Sequence, residues 1–135
     1  MTKPHLQAGR ALVITGPQGC GKTTLARELA QAQGTYAELD MQQIGSRFEW
    51  GSVLRQRPAT IVIEGHPTTD RQYQLLKLWL TAKTLSVQGQ KGTDRFEMPT
   101  PYVVITTNDE AAAHALCEDS RRFDLLELSH RPAHA

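Results

Sequence analysis

The chain has 135 residues, of which 39% are hydrophobic, and carries a formal net charge of +1 at pH 7. This length fits one domain spanning 1–135, and so balanced a charge argues against a monomer that binds polyanions over a broad basic surface. The longest apolar runs are strand-sized, so no membrane span is predicted, and the N-terminus lacks the apolar stretch of a signal peptide. The two cysteines, Cys20 and Cys117, are expected to be reduced thiols in a cytoplasmic protein.

Strands and helices alternate along the first half of the chain, which is typical of a layered α/β sheet. A first strand is predicted at Ala11–Thr15, followed by a helix from Gly21 to about Gln33 that stops at a glycine. A second, shorter strand runs from Thr35 to Leu39 and ends at Asp40. The stretch from Met41 to Gln56 has a mixed pattern that suggests two short helices.

The second half continues this alternation and adds a hairpin. A third strand, Thr60–Ile63, is apolar on both faces, as expected of a sheet that is covered on both sides. A helix opens at Thr69, where Gln72 completes a capping-box pattern, and runs to about Ala82. The stretch Leu85–Met98 alternates, turns through glycines and alternates again, which predicts a β-hairpin. The remaining predicted elements are a buried fourth strand at Tyr102–Thr106, a short helix at Glu110–Cys117 and a final strand at Phe123–Leu128.

A motif of the form G-x-x-x-x-G-K-[ST] lies between the first strand and the first helix. It reads Gly16-Pro17-Gln18-Gly19-Cys20-Gly21-Lys22-Thr23, with Thr24 next. Glycines let backbone amides turn toward phosphate oxygens, Lys22 reaches the β- and γ-phosphates, and Thr23 offers its hydroxyl to magnesium. The alternative is a glycine-rich helix start with a surface lysine. Because an apolar strand precedes the motif and an amphipathic helix follows it, we predict a site for ATP and Mg²⁺.

A single acid, Glu64, follows the third strand. ATP hydrolysis needs a carboxylate near the magnesium and usually a base that orients water, so Glu64 is a candidate for either role. Asp40 and Asp70 are candidate helpers, and a solvated strand-end carboxylate is the alternative. Asn108, just past the fourth strand, is predicted at the carboxyl edge of the sheet, where α/β folds bind ligands. It is a candidate for orienting the attacking water, with a helix cap as the alternative.

Two arginines, Arg121 and Arg122, precede the final strand. An arginine at this place could reach the γ-phosphate held by a neighbouring subunit, whereas the alternative is a solvated surface pair. His114 and Cys117 have i,i+3 spacing on a predicted helix, but two ligands do not make a metal site.

The order of these features is more specific than any one of them. The phosphate loop, strand-end acid, amphipathic helix, hairpin, strand ending in Thr107-Asn108 and arginine before the final strand together resemble the superfamily III helicases. These are AAA+-related ATPases of small viruses, phages and plasmids. The resemblance covers Ala11 to Leu128 and is strongest from Leu76 to Asn108. It implies a three-layer α/β/α P-loop fold without a lid domain. Its mainly parallel five-stranded sheet would have the order 5-1-4-3-2, with the hairpin inserted before the fourth strand.

The same resemblance implies roles for individual residues. Lys22 and Thr23 would hold the nucleotide and magnesium, and Asn108 would act as the sensor. Arg121 or Arg122 would supply the arginine finger. The family usually has two adjacent acids where this chain has one, which predicts slow turnover.

The resemblance further implies a homo-oligomeric ring that acts on single-stranded nucleic acid in replication or in the maintenance of a mobile element. Lys91 in the hairpin tip, with Arg95 nearby, would contact the nucleic acid in the pore of that ring. Two alternatives stay open. One is a non-catalytic nucleotide-binding module that co-assembles with a larger replication protein. The other is a small P-loop kinase, in which the first strand and the Glu64 strand would be neighbours.

Overall fold

The computed structural model describes residues 5–44, 53–88 and 95–129. The strands are β1 (Ala11–Thr15), β2 (Tyr36–Asp40), β3 (Thr60–Glu64), β4 (Thr84–Gln88), β5 (Arg95–Pro99), β6 (Tyr102–Thr107) and β7 (Phe123–Glu127). The helices are α1 (Lys22–Gln33), α2 (Asp70–Thr81) and α3 (Glu110–Leu116), and a 3-10 turn occupies Met41–Gln43. Element types match the predictions within a residue or two at each end. Of the two short helices predicted between Met41 and Gln56, broken around Gly51, the first begins with the 3-10 turn and then enters residues 45–52, which lie outside the described ranges. The second is described from Val53, with helical backbone at Val53 and Leu54.

The central sheet has five parallel strands in the order β2-β3-β6-β1-β7. Counted along the chain without the hairpin strands, this is the order 5-1-4-3-2 that the resemblance implied. β6 pairs with β1 on one side and with β3 on the other. Since β1 and β3 are therefore not neighbours, the sheet does not match the kinase alternative.

Helices cover both faces of this sheet. On one face, the buried residues of α1 pack against alternate residues of β1, together with one residue each of β3 and β6. This cluster contains Leu12, Ile14, Ala26, Leu29, Ala30, Val62 and Val104. On the other face, α2 and α3 bury apolar residues against the intervening positions of the same strands, among them Val13, Ile61, Ile63, Leu76, Leu80, Ile105 and Ala113. Burial on both faces explains why β1 and β3 are apolar throughout rather than alternating.

The start of α2 is fixed by its predicted capping box. The Thr69 hydroxyl accepts from the backbone of Gln72, whose side chain accepts in return from the backbone of Thr69. Gln72 is itself buried and donates its amide to the carbonyl of Met41 at 3.2 Å. One polar side chain therefore caps α2 and ties it to the turn that follows β2.

The predicted hairpin is present as the antiparallel pair β4-β5, which forms a two-stranded sheet of its own. Val87 and Met98 anchor it in the hydrophobic core, and the guanidinium of Arg57 lies 4.2 Å from the centre of the Phe96 ring. The hairpin tip, residues 89–94, falls in a part of the chain that the structure does not describe. The hairpin is thus joined to the body by side-chain packing.

Within the described residues, no helix has both the length and the apolar composition needed to cross a bilayer. Cys20 and Cys117 are both free thiols, and burial raises the pKa of the Cys117 thiol to about 11.

Candidate nucleotide-binding site

A cavity of about 710 Å³ opens beyond the carboxyl ends of β1, β3 and β6. Because parallel strands end at the same edge of a sheet, the segments that follow these three strands meet there. The lining residues are Gln18, Gly19, Gly21, Lys22, Thr23, Thr24, Glu64, Gly65, His66, Thr106, Thr107, Asn108 and Asp109. The structure therefore brings together most of the predicted phosphate loop, the predicted acid and the predicted asparagine.

The phosphate loop is shaped by two glycines, one required by its backbone angle and the other by lack of space. Gly21 caps the start of α1 in the left-handed region, at φ 95°. A Cβ atom on Gly16 would lie 2.5 Å from the carbonyl oxygen of Leu128, so the loop passes directly against the segment after β7. No side chain among the described residues caps α1. Its first backbone N–H groups are therefore available to an anion.

Lys22 is buried, with 8% of its surface exposed, so the alternative of a surface lysine is wrong. Its ammonium donates to the carbonyl oxygens of Gly16 and Pro17, each at 3.0 Å, and lies 3.8 Å from the Cys20 sulfur. It forms no ion pair with a carboxylate in the part of the chain described. A buried cation held by neutral carbonyls gains strongly from an anionic partner, which is what a phosphate would provide.

Glu64 ends β3 with an exposed side chain, in register with Asp40 of β2 and Thr106 of β6. A smaller cavity of about 190 Å³ beside the main one is lined by both acids and by Thr23. The Asp40 carboxylate also accepts from the backbone of Gln42 at 2.9 Å, which caps the 3-10 turn. Of the two predicted helpers, Asp40 is therefore beside Glu64, whereas Asp70 lies in the first turn of α2 and lines neither cavity.

The smaller cavity also contains an ion pair that the sequence did not suggest. Arg27, one turn after Thr23 on α1, donates to both carboxylate oxygens of Glu38, at 2.5 and 3.2 Å. These hydrogen bonds hold the pKa of the Glu38 carboxyl below its usual value. In the described ranges, no group of three or more His, Cys, Asp or Glu side chains is arranged to hold a metal ion.

Asn108 is exposed and lines the main cavity, while the helix cap belongs to its neighbour. Asp109 accepts from the backbone of Ala112 at 2.9 Å and caps α3. The helix cap, which was the alternative role for Asn108, is thus supplied by Asp109. The side chain of Asn108 remains available to a ligand.

Five cavity residues were not predicted as site residues from the sequence, and three of them, His66, Thr107 and Asp109, form a polar group. The Nδ1 atom of His66 lies 3.1 Å from the Thr107 hydroxyl, and its Nε2 atom lies 4.0 Å from an oxygen of Asp109. The signal that could have found His66 is its place two residues beyond Glu64, at the same edge of the sheet.

Neither Arg121 nor Arg122 lines the cavity of its own chain. Arg122 is partly buried and donates to Asp119 at 3.1 Å. Burial would raise the pKa of the Asp119 carboxyl, but the hydrogen bond and charge of Arg122 outweigh it, so that pKa lies below its usual value. Arg121 is exposed. Of the two, Arg121 is the one whose side chain is free of an ion pair within the described residues.

The loop that carries Arg121 is held by Arg10. The Arg10 guanidinium donates to the carbonyl oxygens of Ser120 at 2.5 Å and Arg121 at 2.7 Å, and to both carboxylate oxygens of Asp124, at 2.9 and 2.5 Å. Arg10 therefore holds the backbone before β7 by hydrogen bonds, and Arg121 extends its exposed side chain from this segment.

Of the two predicted nucleic-acid contacts, only Arg95 lies in the described residues, and it does not line the cavity. Arg95 is exposed on β5 and donates to the Ser86 hydroxyl across the hairpin at 3.2 Å. Lys91 lies outside the described residues.

Comparison with known proteins found one matching family model and solved structures with a similar fold. The model of the family described as "ATPase family associated with various cellular activities (AAA)" matches residues 12–86, more than half of the chain. Among solved structures, the apo A form of the NrS-1 C-terminal region superimposes with a TM-score of 0.63 at 18% identity. That match covers 92% of this chain and 30% of the other, so the likeness shows a shared fold over less than a third of the longer protein. No curated protein matches the sequence.

Proposed function

Since the chain belongs to the AAA family of ATPases, we propose that it binds ATP with Mg²⁺ in the main cavity and hydrolyses the terminal phosphate. The observation that carries this proposal is the meeting of the phosphate loop, Glu64 and Asn108 at one edge of the sheet. The ammonium of Lys22 is buried and has no carboxylate partner within the described residues. A bound phosphate would supply the anionic partner.

The residues present fit a triphosphate and its metal. The loop amides and Lys22 would bind phosphate oxygens, while the hydroxyl of Thr23 and the carboxylate of Glu64 would hold Mg²⁺. Mg²⁺ prefers a few oxygen ligands together with water and phosphate, which agrees with a site of one hydroxyl and one or two acids. When bound, the ion neutralises charge that develops on the phosphate oxygens.

In the proposed reaction, a water oxygen attacks the γ-phosphorus and the bond to the β,γ-bridging oxygen breaks, giving ADP and phosphate. The water must be oriented and must lose a proton. Asn108 would orient it by hydrogen bonding. Of the neighbouring carboxylates of Glu64 and Asp40, the one that does not hold Mg²⁺ would accept the proton. Asp40, beside Glu64 in the register, is positioned to share the work that a second adjacent acid performs in superfamily III helicases.

We also propose that the chain acts as a ring on single-stranded nucleic acid, as the superfamily III resemblance implies. Three features support this: the strand order, the inserted hairpin, and an exposed Arg121 that does not line the cavity of its own chain. A chain with a net charge of +1 is a weak polyanion binder by itself. Several hairpins converging on one axis would bring Lys91 and Arg95 of each copy together.

The test is an ATPase assay with and without single-stranded DNA, alongside a mass measurement with a slowly hydrolysed ATP analogue. We expect ATP turnover, and an oligomer with the analogue. ATP binding without any turnover would instead support the non-catalytic module, which the single acid in the sequence favours. Absence of nucleotide binding would overturn the proposal.

A further inference from the structure

A polar network joins the ends of two neighbouring strands inside the nucleotide cavity. It consists of His66, just after β3, and of Thr107 and Asp109, at the end of β6 and just after it. All three residues line the cavity together with the phosphate loop. None of them is needed for the roles assigned above to Lys22, Glu64 and Asn108.

The hydrogen bonds of Thr107 determine which nitrogen of His66 carries the hydrogen. Thr107 is buried, with 6% of its surface exposed, and its hydroxyl accepts from the backbone N–H of Asp109 at 3.1 Å. A hydroxyl has one hydrogen of its own to donate, and the Nδ1 atom of His66 lies 3.1 Å away. Because a buried hydroxyl hydrogen needs an acceptor, Nδ1 is assigned as the acceptor. In a neutral imidazole the hydrogen then lies on Nε2.

This Nε2–H group has no acceptor at hydrogen-bond distance within the residues that the structure describes. The nearest oxygen belongs to the Asp109 carboxylate at 4.0 Å, which is too far for a direct hydrogen bond. The Asp109 carboxylate caps α3 by accepting from Ala112, so it lies near the imidazole without accepting its Nε2 hydrogen. The site therefore offers a fixed, unused donor beside the phosphate loop.

We propose that the Nε2–H of His66 donates to the terminal phosphate group of the bound triphosphate, so that His66 distinguishes a triphosphate from a diphosphate. The chemistry agrees, because a hydrogen bond to a charged acceptor is stronger than one between neutral groups. The inference rests on the proposed nucleotide site. It adds a hydrogen bond that forms with a triphosphate and not with a diphosphate, because only the triphosphate carries the terminal group.

The experiment compares the affinities of a slowly hydrolysed ATP analogue and of ADP, both with Mg²⁺, by calorimetry. His66→Ala should weaken binding of the analogue by about 10- to 100-fold, as expected for loss of a hydrogen bond to a charged group. ADP affinity should stay unchanged. His114→Ala is the matched control, since His114 is an exposed histidine that pairs with Glu127 outside the cavity.

Two conservative variants distinguish the proposed hydrogen bond from Nε2 of His66 to the nucleotide from the hydrogen bond between Nδ1 of His66 and Thr107. A glutamine amide can place its nitrogen near the position of Nε2, whereas an asparagine amide reaches the position of Nδ1. His66→Gln should therefore keep the preference for the triphosphate, and His66→Asn should lose it.

Several results would overturn the inference. An unchanged ratio of the two affinities in His66→Ala would do so, as would an equal loss of both ligands. Preference kept by His66→Asn and lost by His66→Gln would assign His66 a structural role through Thr107. The affinity ratio does not depend on turnover. A wild-type chain that hydrolyses nothing but shows the expected ratios would thus contradict the ATPase proposal and leave this one standing, and a chain that binds neither ligand would contradict both.

Discussion

Asp40 and Glu64 lie side by side at the carboxyl ends of β2 and β3, where they are paired in the parallel register. Both line the small cavity that Thr23 also lines. Neighbouring strands are about 4.8 Å apart, so two acids separated in the sequence occupy adjacent positions in space. We infer that the second carboxylate expected beside Glu64 comes from the next strand instead of the next residue.

Glu64→Gln should keep ATP binding and lose most turnover, by roughly 10²- to 10⁴-fold if the carboxylate is the base. Asp40→Asn should cause a smaller loss. Asparagine caps a helical turn as well as aspartate does, so this variant removes the charge and keeps the 3-10 turn. Steady-state phosphate release and analogue binding measure the two effects. Wild-type turnover in Glu64→Gln would place the catalytic acid elsewhere.

Lys22→Met should abolish nucleotide binding and leave the chain folded. Replacement by an apolar chain of similar length removes a buried charge and also two hydrogen bonds to carbonyl oxygens, so the free energy of unfolding of the nucleotide-free protein should change by no more than about 1 kcal/mol. Urea unfolding and calorimetry with ATP test these together. Lys83→Met, at an exposed lysine outside the cavity, is the control and should change neither quantity. Wild-type ATP affinity in Lys22→Met would refute the assignment of the site.

Arg121→Ala should lose turnover and keep the thermal unfolding midpoint of the wild type, because the exposed side chain supports no ion pair among the described residues of the fold. Arg122→Ala should lower that midpoint, since it removes the arginine that pairs with Asp119. Mixing Arg121→Ala with Lys22→Met should restore some activity if Arg121 acts on the nucleotide of a neighbour. No recovery at any mixing ratio, with subunit exchange verified by mass, would argue against a finger in trans.

Lys91→Ala should weaken binding of a single-stranded oligonucleotide and leave ATP turnover without DNA unchanged. Binding should require the ATP analogue and should fall steeply with salt. The dependence of log K on log salt should become shallower by roughly 0.7 for each phosphate that Lys91 neutralises. Fluorescence anisotropy measures this, with Lys83→Ala, at an exposed lysine just before β4, as the control. Equal affinities of wild type and Lys91→Ala, in a confirmed oligomer, would exclude the pore hairpin.

Most of the fold could be predicted from the sequence because its signals are local. The glycine motif between a strand and a helix, the Thr69–Gln72 capping box and the apolar strand at Ile61–Ile63 each indicate their own structure. The strand order required the resemblance, since no local pattern states which strands are neighbours.

The site was predicted less completely, for a different reason. Glu64 and Asn108 can be recognised in the sequence as polar residues that follow apolar strands. Pairing of Asp40 with Glu64, or of His66 with Thr107, depends on register between strands that are far apart in the chain. The burial of Lys22 depends on how the loop carbonyls fold around it, which no sequence spacing shows.

The position of β6 has a consequence for how the molecule assembles. β1 and β3 both hydrogen bond to β6 and not to each other, so the two halves of the sheet are joined only through this later segment of the chain. The phosphate loop belongs to one half and Glu64 to the other. Pairings so distant in sequence form slowly, and the unpaired strand edges are exposed to aggregation in the meantime. A nucleotide that spans both halves would therefore act as a ligand for folding, favouring the completed sheet by mass action.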